Sequence, residues 1–218
     1  MAIPSPAQLA ASTVYCNCLQ STKARLNLID RVVSGGLRIE NEAIDAEFVC
    51  LQLRRVLELL AFASVSANKD IYAQAHNDFA THWNAKRLLQ KLEKLHPDFY
   101  PQPVRLTAPD ARGVKQLVAI ETAYLTKDDF VFLYDTCSQV LHEWNSYRDD
   151  PRVVNFRVSI AEWVKRIRAL PEVHWIRLAG TLDIWVVHYN HPDGNVHALY
   201  AADMPADSIP KPLAHGVT

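Results

Sequence analysis

The sequence predicts a mainly α protein, of the α+β kind, with a small β-sheet near its C-terminal end. Apolar residues recur with a helical period through most of the first 170 residues, and after Pro171 the pattern changes to strand-like alternation. We therefore expect a helical bundle over residues 1–170 and a three-stranded antiparallel β-meander over 171–204, packed on the bundle. The last stretch, 205–218, is expected to be a loose tail.

Composition and charge narrow the class of protein. The 218 residues are 49% apolar and 22% charged, with a formal net charge of -1, as in ordinary folded domains. A charge so close to zero does not indicate attraction of the whole molecule to nucleic acid or to an anionic membrane. The four cysteines have no CxxC spacing, which favours reduced thiols over a zinc site or a disulfide framework. Without a signal-peptide pattern or a long apolar run, we expect a cytoplasmic protein with no membrane contact.

Four helices are predicted in the first hundred residues. Ser5 and Pro6 have the N-cap and first-position chemistry of a helix start, and Gly35 with Gly36 ends that helix. Further helices are expected over about 43–66, in "DIYAQA" and in "NAKRLLQKLEKL", whose leucines form one stripe. The three prolines of "HPDFYPQP" then predict an irregular crossing segment.

The second half combines helices and strands. "KQLVAIETAYL" fits a strand or a helix, and we favour the strand. Thr126 caps a helix expected to reach about Trp144, and Ser159 caps another over 160–169. Beyond Pro171, "HWIRL", "DIWVVHY" and "NVHALYA" are predicted strands, with "HPDGN" as the turn between the last two. The alternation predicts one shared face for Trp185, Val187, Tyr189, Val196, Ala198 and Tyr200.

The second helix contains the most informative segment, "FVCLQLRRVLELLAFASV" at residues 48–65. It is apolar around most of its circumference, which predicts a central helix buried by several neighbours. Glu47, Arg54 and Glu58 fall in one narrow arc, with Arg55 at its edge; we name these four residues the polar seam. Such a seam is either an internal ion-pair network or one wall of a polar cleft.

A cleft would need a second wall, and His142 on the helix that follows Thr126 is the best candidate. A histidine beside acidic and basic groups can act as a general acid or base near neutral pH. The candidate catalytic residues are therefore His142, Arg54 and Glu58. The candidate binding residues are Arg55 and Asn145. The alternative is that His142 and Asn145 simply lie on the solvated face of an amphipathic helix.

A basic segment at 152–177 suggests another kind of site. It contains six arginines and lysines against two glutamates, beside Trp163 and Trp175. Cationic side chains next to aromatic rings bind RNA or single-stranded nucleic acid. Arg166 and Arg168 are therefore added to the candidate binding residues, with a solvated helix face as the alternative.

Histidines of the final hairpin are candidate metal ligands. His188 and His197 share the outer face of the hairpin, and His174 or His191 are candidates to join them. A metal site needs a third ligand, which the sequence does not place. We predict no metal and no cofactor.

Two long stretches carry a resemblance. "EFVCLQLRRVLELLAFASVSANKD" and "HWNAKRLLQKLEKLHPDFYPQP" resemble uncharacterised bacterial helical proteins, and "CSQVLHEWN" and the meander look like later parts of the same pattern. Their helical pairs are distantly similar to HEPN domains, which often serve as ribonucleases in bacterial conflict systems.

Together these features lead to an expected function. We expect a cytoplasmic binding or interaction module, with RNA or a protein as partner, in a bacterial conflict or regulatory system. The alternative implied by the resemblance is a HEPN-like, metal-independent ribonuclease. Homodimerisation is left open.

Overall fold

The computed structural model describes residues 3–76, 84–143, 147, 153–205 and 208–210. The helices in these residues are α1 (Pro6–Val33), α2 (Glu42–Ala67), α3 (Lys69–Ala75), α4 (Ala85–Leu95), α5 (Lys127–Leu141) and α6 (Ile160–Ala169). The strands are β1 (Gln102–Leu106), β2 (Leu117–Ala119), β3 (Val173–Arg177), β4 (Ile184–His188) and β5 (His197–Ala201). The mainly α class with an antiparallel sheet is confirmed.

Local capping chemistry sets the helix starts. The Ser5 hydroxyl accepts a hydrogen bond from the backbone N–H of Gln8, whose side chain accepts one from the N–H of Ser5. Thr126 and Ser159 cap α5 and α6 in the same way, each accepting from the N–H three residues later. These side chains satisfy N–H groups that have no partner within the helix, so the predicted starts are confirmed.

Helix α2 is the central element of the bundle. It packs against α1, α4 and α5, and the apolar side chains from Val49 to Leu60 that face these neighbours are buried. Cys50 of α2 and Cys137 of α5 are buried cysteines in this interface that form no disulfide bond. The prediction of a central helix is confirmed.

The sheet has five strands among the described residues, rather than the expected three. Its order is β2-β1-β3-β4-β5, and every neighbouring pair is antiparallel. The meander β3–β4–β5 is as predicted, and β2 lies where a strand was favoured. Strand β1 is the unexpected member, because it follows directly on the proline-rich segment. The expected division at residue 170 does not separate helices from strands, since β1 and β2 precede it.

The pairing of β1 explains how a strand tolerates proline. Gln102 and Pro103 pair with β3, whereas Val104 to Leu106 pair with β2. Strands β3 and β2 therefore pair with different halves of β1. Pro103, which has no N–H to donate, lies where the pairing passes from β3 to β2. Its carbonyl is used, since it accepts from the N–H of Ile120 at 3.0 Å.

The two faces of the sheet are covered differently. The helices pack on the face that carries Trp185 and Val187, which lie opposite Tyr200 and Ala198 as the alternation predicted. On the other face, Val104, Trp175, Ile184 and Ile209 form a second, smaller cluster.

Residues 208–210 close that second cluster. Ile209 is 5% exposed. The indole N–H of Trp175 donates to the carbonyl of Pro210 at 2.9 Å. The expectation of a loose tail is therefore wrong for these three residues, because an apolar side chain and an indole N–H hold them on the sheet. Residues 206–207 and 211–218 lie outside the described residues.

We predict that Leu57→Ala lowers the free energy of unfolding by about 2–5 kcal/mol, because it leaves a cavity at a fully buried position of α2. Leu51 of the same helix is 41% exposed, so Leu51→Ala should cost about 1 kcal/mol or less. Urea unfolding monitored by circular dichroism measures both changes. Equal losses in the two variants would contradict the central position of α2.

Candidate functional site

Three residues of the polar seam, Arg54, Arg55 and Glu58, form ion pairs on α2, and a hydrogen bond from Arg54 links them to α5. Arg54 donates from Nη2 to the hydroxyl of Tyr134 at 2.9 Å, and its guanidinium lies 4.7 Å from the centre of that ring. Glu58 lies 3.8 Å from Arg54 and 3.0 Å from Arg55. Glu58 is 9% exposed, and Glu47, about three turns earlier, is half-buried. Of the two alternatives for the seam, the geometry favours the internal network.

His142 lies at the end of α5 rather than on its polar face. The helix ends at Leu141 instead of about Trp144, and the N–H of His142 caps it by donating to Ser138 at 3.2 Å. His142 is exposed and eight residues beyond Tyr134, or about 12 Å further along the helix axis. Among the described residues, the hydrogen-bond and ion-pair partners of Arg54 are Tyr134 and Glu58. Trp144 and Asn145 lie outside the described residues, and the catalytic and binding roles assigned to His142, Arg54, Glu58, Arg55 and Asn145 stay predictions.

The two candidate binding arginines of the basic segment, Arg166 and Arg168, attach α6 to its neighbours. Arg166 donates from Nε to Glu162 at 3.1 Å, and its Nη1 lies 3.5 Å from Asp129 of α5. Arg168 pairs with Asp30 of α1 at 2.7 Å. These contacts give both guanidinium groups intramolecular carboxylate partners.

The neighbouring tryptophans are not available to an RNA base. Trp163 is 1% exposed and Trp175 is fully buried. The N–H of Trp163 donates to the carbonyl of Phe156 at 2.8 Å, so its polar edge is also engaged. The expectation of aromatic platforms beside the basic segment is wrong, because both rings belong to the core. RNA binding through Arg166 and Arg168 stays a prediction, without stacking support from Trp163 or Trp175.

A cavity that the sequence did not predict lies at one end of the bundle. It has a volume of about 800 Å³ and is bounded by the first half of α1, the end of α2, the start of α3, α4 and the β3–β4 turn. Phe62, Leu88 and Trp185 form large apolar parts of its wall. Small side chains form much of the rest, namely Ala7, Ala10, Ala11, Ala67 and Ala179. Val14 also lines the cavity and is 51% exposed, so the cavity opens to solvent beside α1.

Asn68 is the notable polar residue of the wall. It lies between α2 and α3, is completely buried, and donates from Nδ2 to the carbonyl of Ser64 at 2.7 Å. Its Oδ1 atom is buried and accepts no hydrogen bond from any residue that the structure describes. A buried acceptor without a donor costs about 1–3 kcal/mol. Lys69 and Asp70 are exposed polar residues of the same wall.

His174 does not belong to the histidine group of the hairpin. It is fully buried, with Nδ1 3.1 Å from the carbonyl of Pro171 and Nε2 2.6 Å from the hydroxyl of Tyr15. A carbonyl only accepts, so Nδ1 carries the proton of the neutral ring and Nε2 accepts from Tyr15. Burial is the main reason that the pKa of His174 is lowered to about 4.

The other histidines converge on the turn between β4 and β5. His188 pairs across the strands with His197, as the alternation predicted. His191 Nδ1 lies 3.1 Å from one oxygen of Asp193, and His197 Nε2 lies 2.7 Å from the other. Burial, followed by the neighbouring His191, lowers the pKa of His188. The backbone N–H of Asn195, followed by His197, lowers the pKa of Asp193. The sequence suggested His191 as a member of this group but gave no signal for Asp193.

No known family, curated protein or solved structure matches this chain. The similarity to HEPN domains therefore stays a prediction. Within the described part of the chain, no helix is both long enough and apolar enough to span a bilayer.

We predict that Arg54→Ala lowers the free energy of unfolding by about 1–3 kcal/mol, because it removes the partner of Tyr134 and one of the two partners of buried Glu58. Arg55→Ala is the matched control, since it removes the other partner of Glu58 from a side chain that is 58% exposed. That change should cost less than about 1 kcal/mol. Chemical unfolding of both variants measures the difference, and a smaller loss for Arg54→Ala than for Arg55→Ala would contradict the network.

His174 should make stability depend on pH. The unfolded chain, with an ordinary histidine pKa of 6.5, binds a proton between about pH 6.5 and 4 that the folded chain does not bind. The free energy of unfolding should therefore fall as pH is lowered through this range, by roughly 3 kcal/mol in all. The stability that the buried neutral His174 contributes is fully present above about pH 6.5. Urea unfolding at several pH values measures the slope, which His174→Gln should reduce. Parallel curves for wild type and variant would contradict the prediction.

Proposed function

We propose that the protein is a cytoplasmic binding module that holds a small molecule in the cavity at the end of the bundle. The observation that carries this proposal is a large, mostly apolar cavity of about 800 Å³ that opens to solvent beside α1. The ligand would have an apolar body. In this proposal a small ligand takes the place of the RNA or protein partner expected from the sequence.

The dimensions and chemistry of the cavity support this choice. Small-molecule sites usually measure about 300–1,000 Å³ and combine apolar walls with a few converging polar groups. The cavity of about 800 Å³ falls within that range. Phe62, Leu88 and Trp185 would cover the apolar body, and the exposed Lys69 and Asp70 would face its polar end. The described cysteines form no disulfide bond, which is consistent with a reducing compartment; they are Cys16, Cys18, Cys50 and Cys137.

RNA is a poorer fit to the described surface. Sequence-tolerant RNA binding combines an exposed cationic groove with aromatic rings on which bases stack. Arg166 and Arg168 pair with carboxylates of the chain, and Trp163 and Trp175 are buried. These contacts leave less cationic and aromatic surface for an RNA strand than the sequence suggested.

We predict that the wild type binds N-phenyl-1-naphthylamine, a fluorescent probe with an apolar body and one N–H donor. Ala11→Phe places a ring at the half-buried cavity wall and should weaken binding at least about tenfold. Ala24→Phe is the matched control, because Ala24 is an exposed alanine of the same helix outside the cavity wall. Fluorescence titration measures the three affinities, and thermal melts establish that both variants are folded.

The other outcomes separate the competing functions. Failure of the wild type to bind the probe, or equal affinity in the two variants, would contradict the cavity proposal. Binding of single-stranded RNA that is lost in Arg166→Glu and Arg168→Glu but kept in Ala11→Phe would support an RNA-binding module instead. Metal-independent RNA cleavage that is lost in His142→Ala would support the HEPN-like ribonuclease.

A further inference from the structure

The turn between β4 and β5 brings two histidines and one carboxylate together at the protein surface. The Asp193 carboxylate lies between the two rings, 3.1 Å from His191 Nδ1 and 2.7 Å from His197 Nε2. One potential ligand atom from each of the three residues lies within 4.8 Å of the other two. The ring centres of the two histidines are 4.3 Å apart. Two nitrogen donors and one oxygen donor therefore point at one small volume.

Backbone contacts fix the shape of this turn before any ligand arrives. Asn195 donates its N–H to Asp193 Oδ1 at 2.9 Å, and Gly194 donates its N–H to the carbonyl of His191 at 2.8 Å. Gly194 has a φ of +81°, a conformation that a residue with a Cβ adopts only at a cost. The ammonium group of Lys23 on α1 donates to the carbonyl of Gly194 at 2.9 Å, which ties the turn to the bundle. The donor atoms are consequently held close to their positions rather than on a free loop.

We propose that His191, Asp193 and His197 form a binding site for a first-row divalent cation, with Zn²⁺ as the preferred ion. Imidazole nitrogen with one carboxylate oxygen is a donor set for Zn²⁺, Co²⁺ and Ni²⁺ rather than for Mg²⁺ or Ca²⁺. Tetrahedral coordination at about 2.0–2.1 Å places neighbouring ligand atoms about 3.4 Å apart. The separations of 3.1 and 2.7 Å, each to a different oxygen of Asp193, are shorter than this, so the side chains must open by about 0.3 and 0.7 Å to admit the ion.

The alternative is a turn in which the carboxylate only accepts hydrogen bonds from the two rings. In that state, each ring carries a proton on the nitrogen that faces Asp193. A metal ion takes the place of both protons, because a coordinating imidazole nitrogen must be unprotonated, and each ring then carries its proton on the other nitrogen. The hydrogen-bonded turn and the metal-bound turn need the same three side chains in the same place. Only a measurement of metal binding therefore distinguishes the two.

Exposure determines the character of the site. Each of the three side chains is 44% exposed, so the fourth coordination position faces solvent and water can fill it. The site lies apart from the cavity, whose lining includes none of these residues. The inference is therefore independent of the proposed function and does not need a ligand in the cavity.

The test is titration of the full chain, without a histidine tag, with ZnCl₂ by isothermal calorimetry and with CoCl₂ by visible absorption. We expect one ion per chain and the absorption bands of Co²⁺ with nitrogen and oxygen ligands. His191→Gln and His197→Gln should each weaken Zn²⁺ binding at least about 100-fold. Loss of a residue that only hydrogen-bonds to a metal ligand weakens metal binding roughly 10–100-fold, and loss of a ligand itself should cost more. Mg²⁺ should not compete.

Asp193→Asn and Asp110→Asn form the matched pair. Asp110 has the same role in the β1–β2 turn, where its carboxylate accepts backbone N–H groups from Arg112 and Val114 at 2.8 and 2.9 Å. Asparagine keeps a side-chain oxygen acceptor in both turns, so both variants should fold. Asp193→Asn should weaken Zn²⁺ binding at least about tenfold, whereas Asp110→Asn should leave it unchanged.

Equal Zn²⁺ affinity in these two variants, or unchanged affinity in His191→Gln, would overturn the proposal. Absence of Zn²⁺ binding by the wild type would do the same. A measurement on the wild type alone provides an independent check. Substoichiometric Co²⁺ should broaden the ring NMR signals of His191 and His197 before those of the buried His174. Uniform broadening of all three would also overturn it.

Discussion

The fold depends on burying α2 on almost every side. A helix that is apolar around most of its circumference needs several neighbours, and α1, α4 and α5 supply them. The charges of this helix must then lie where two helices meet near solvent, which is where Arg54 and Glu58 are found. Tyr134 completes the arrangement, because it is buried in the bundle and yet presents its hydroxyl to Arg54. Charged residues in a mostly apolar segment thus have a packing explanation that requires no catalysis.

The cavity follows from how the same helix ends. The end of α2 is rich in small side chains, including Ala63, Ser64, Ser66 and Ala67, and it faces the alanine-rich start of α1. Small residues allow helices to approach closely, but Phe62, Leu88 and Trp185 at the boundary hold the elements apart. Protein interiors are otherwise close-packed. The side chains around an open volume of this size therefore lack packing contacts that a filled volume would give them. A ligand that fills it would gain those contacts.

Local rules predicted what depends on neighbouring residues in the sequence. The helix starts at Ser5, Thr126 and Ser159 follow from capping chemistry, and the pairing of Trp185 with Tyr200 follows from alternation in a hairpin. The ion pair of Arg54 and Glu58 was predictable because four residues make one helical turn. Strand β1 was not, since Pro103 argues against a strand and only distant β3 reveals its role. Tyr134, Asn68 and Asp193 were missed for the same reason: their significance lies in partners or empty space that only the folded chain brings to them.

Helix α1 spans both proposed sites and keeps them apart. At its start, Gln8 donates to Asp183 at 3.3 Å beside the cavity, and fifteen residues later Lys23 donates to Gly194 at 2.9 Å in the hairpin turn. These two attachment points are about 22 Å apart along the helix axis. Strand β4 runs between the same two turns, with Trp185 in the cavity wall and His188 next to the histidine group. Free-energy changes at sites more than about 10 Å apart usually add when the sites share no partner. Ligand binding in the cavity should therefore leave the metal affinity of the hairpin turn unchanged. A measured coupling between the two would require a shift of α1 or β4 as a rigid element, since these are the elements that reach both sites.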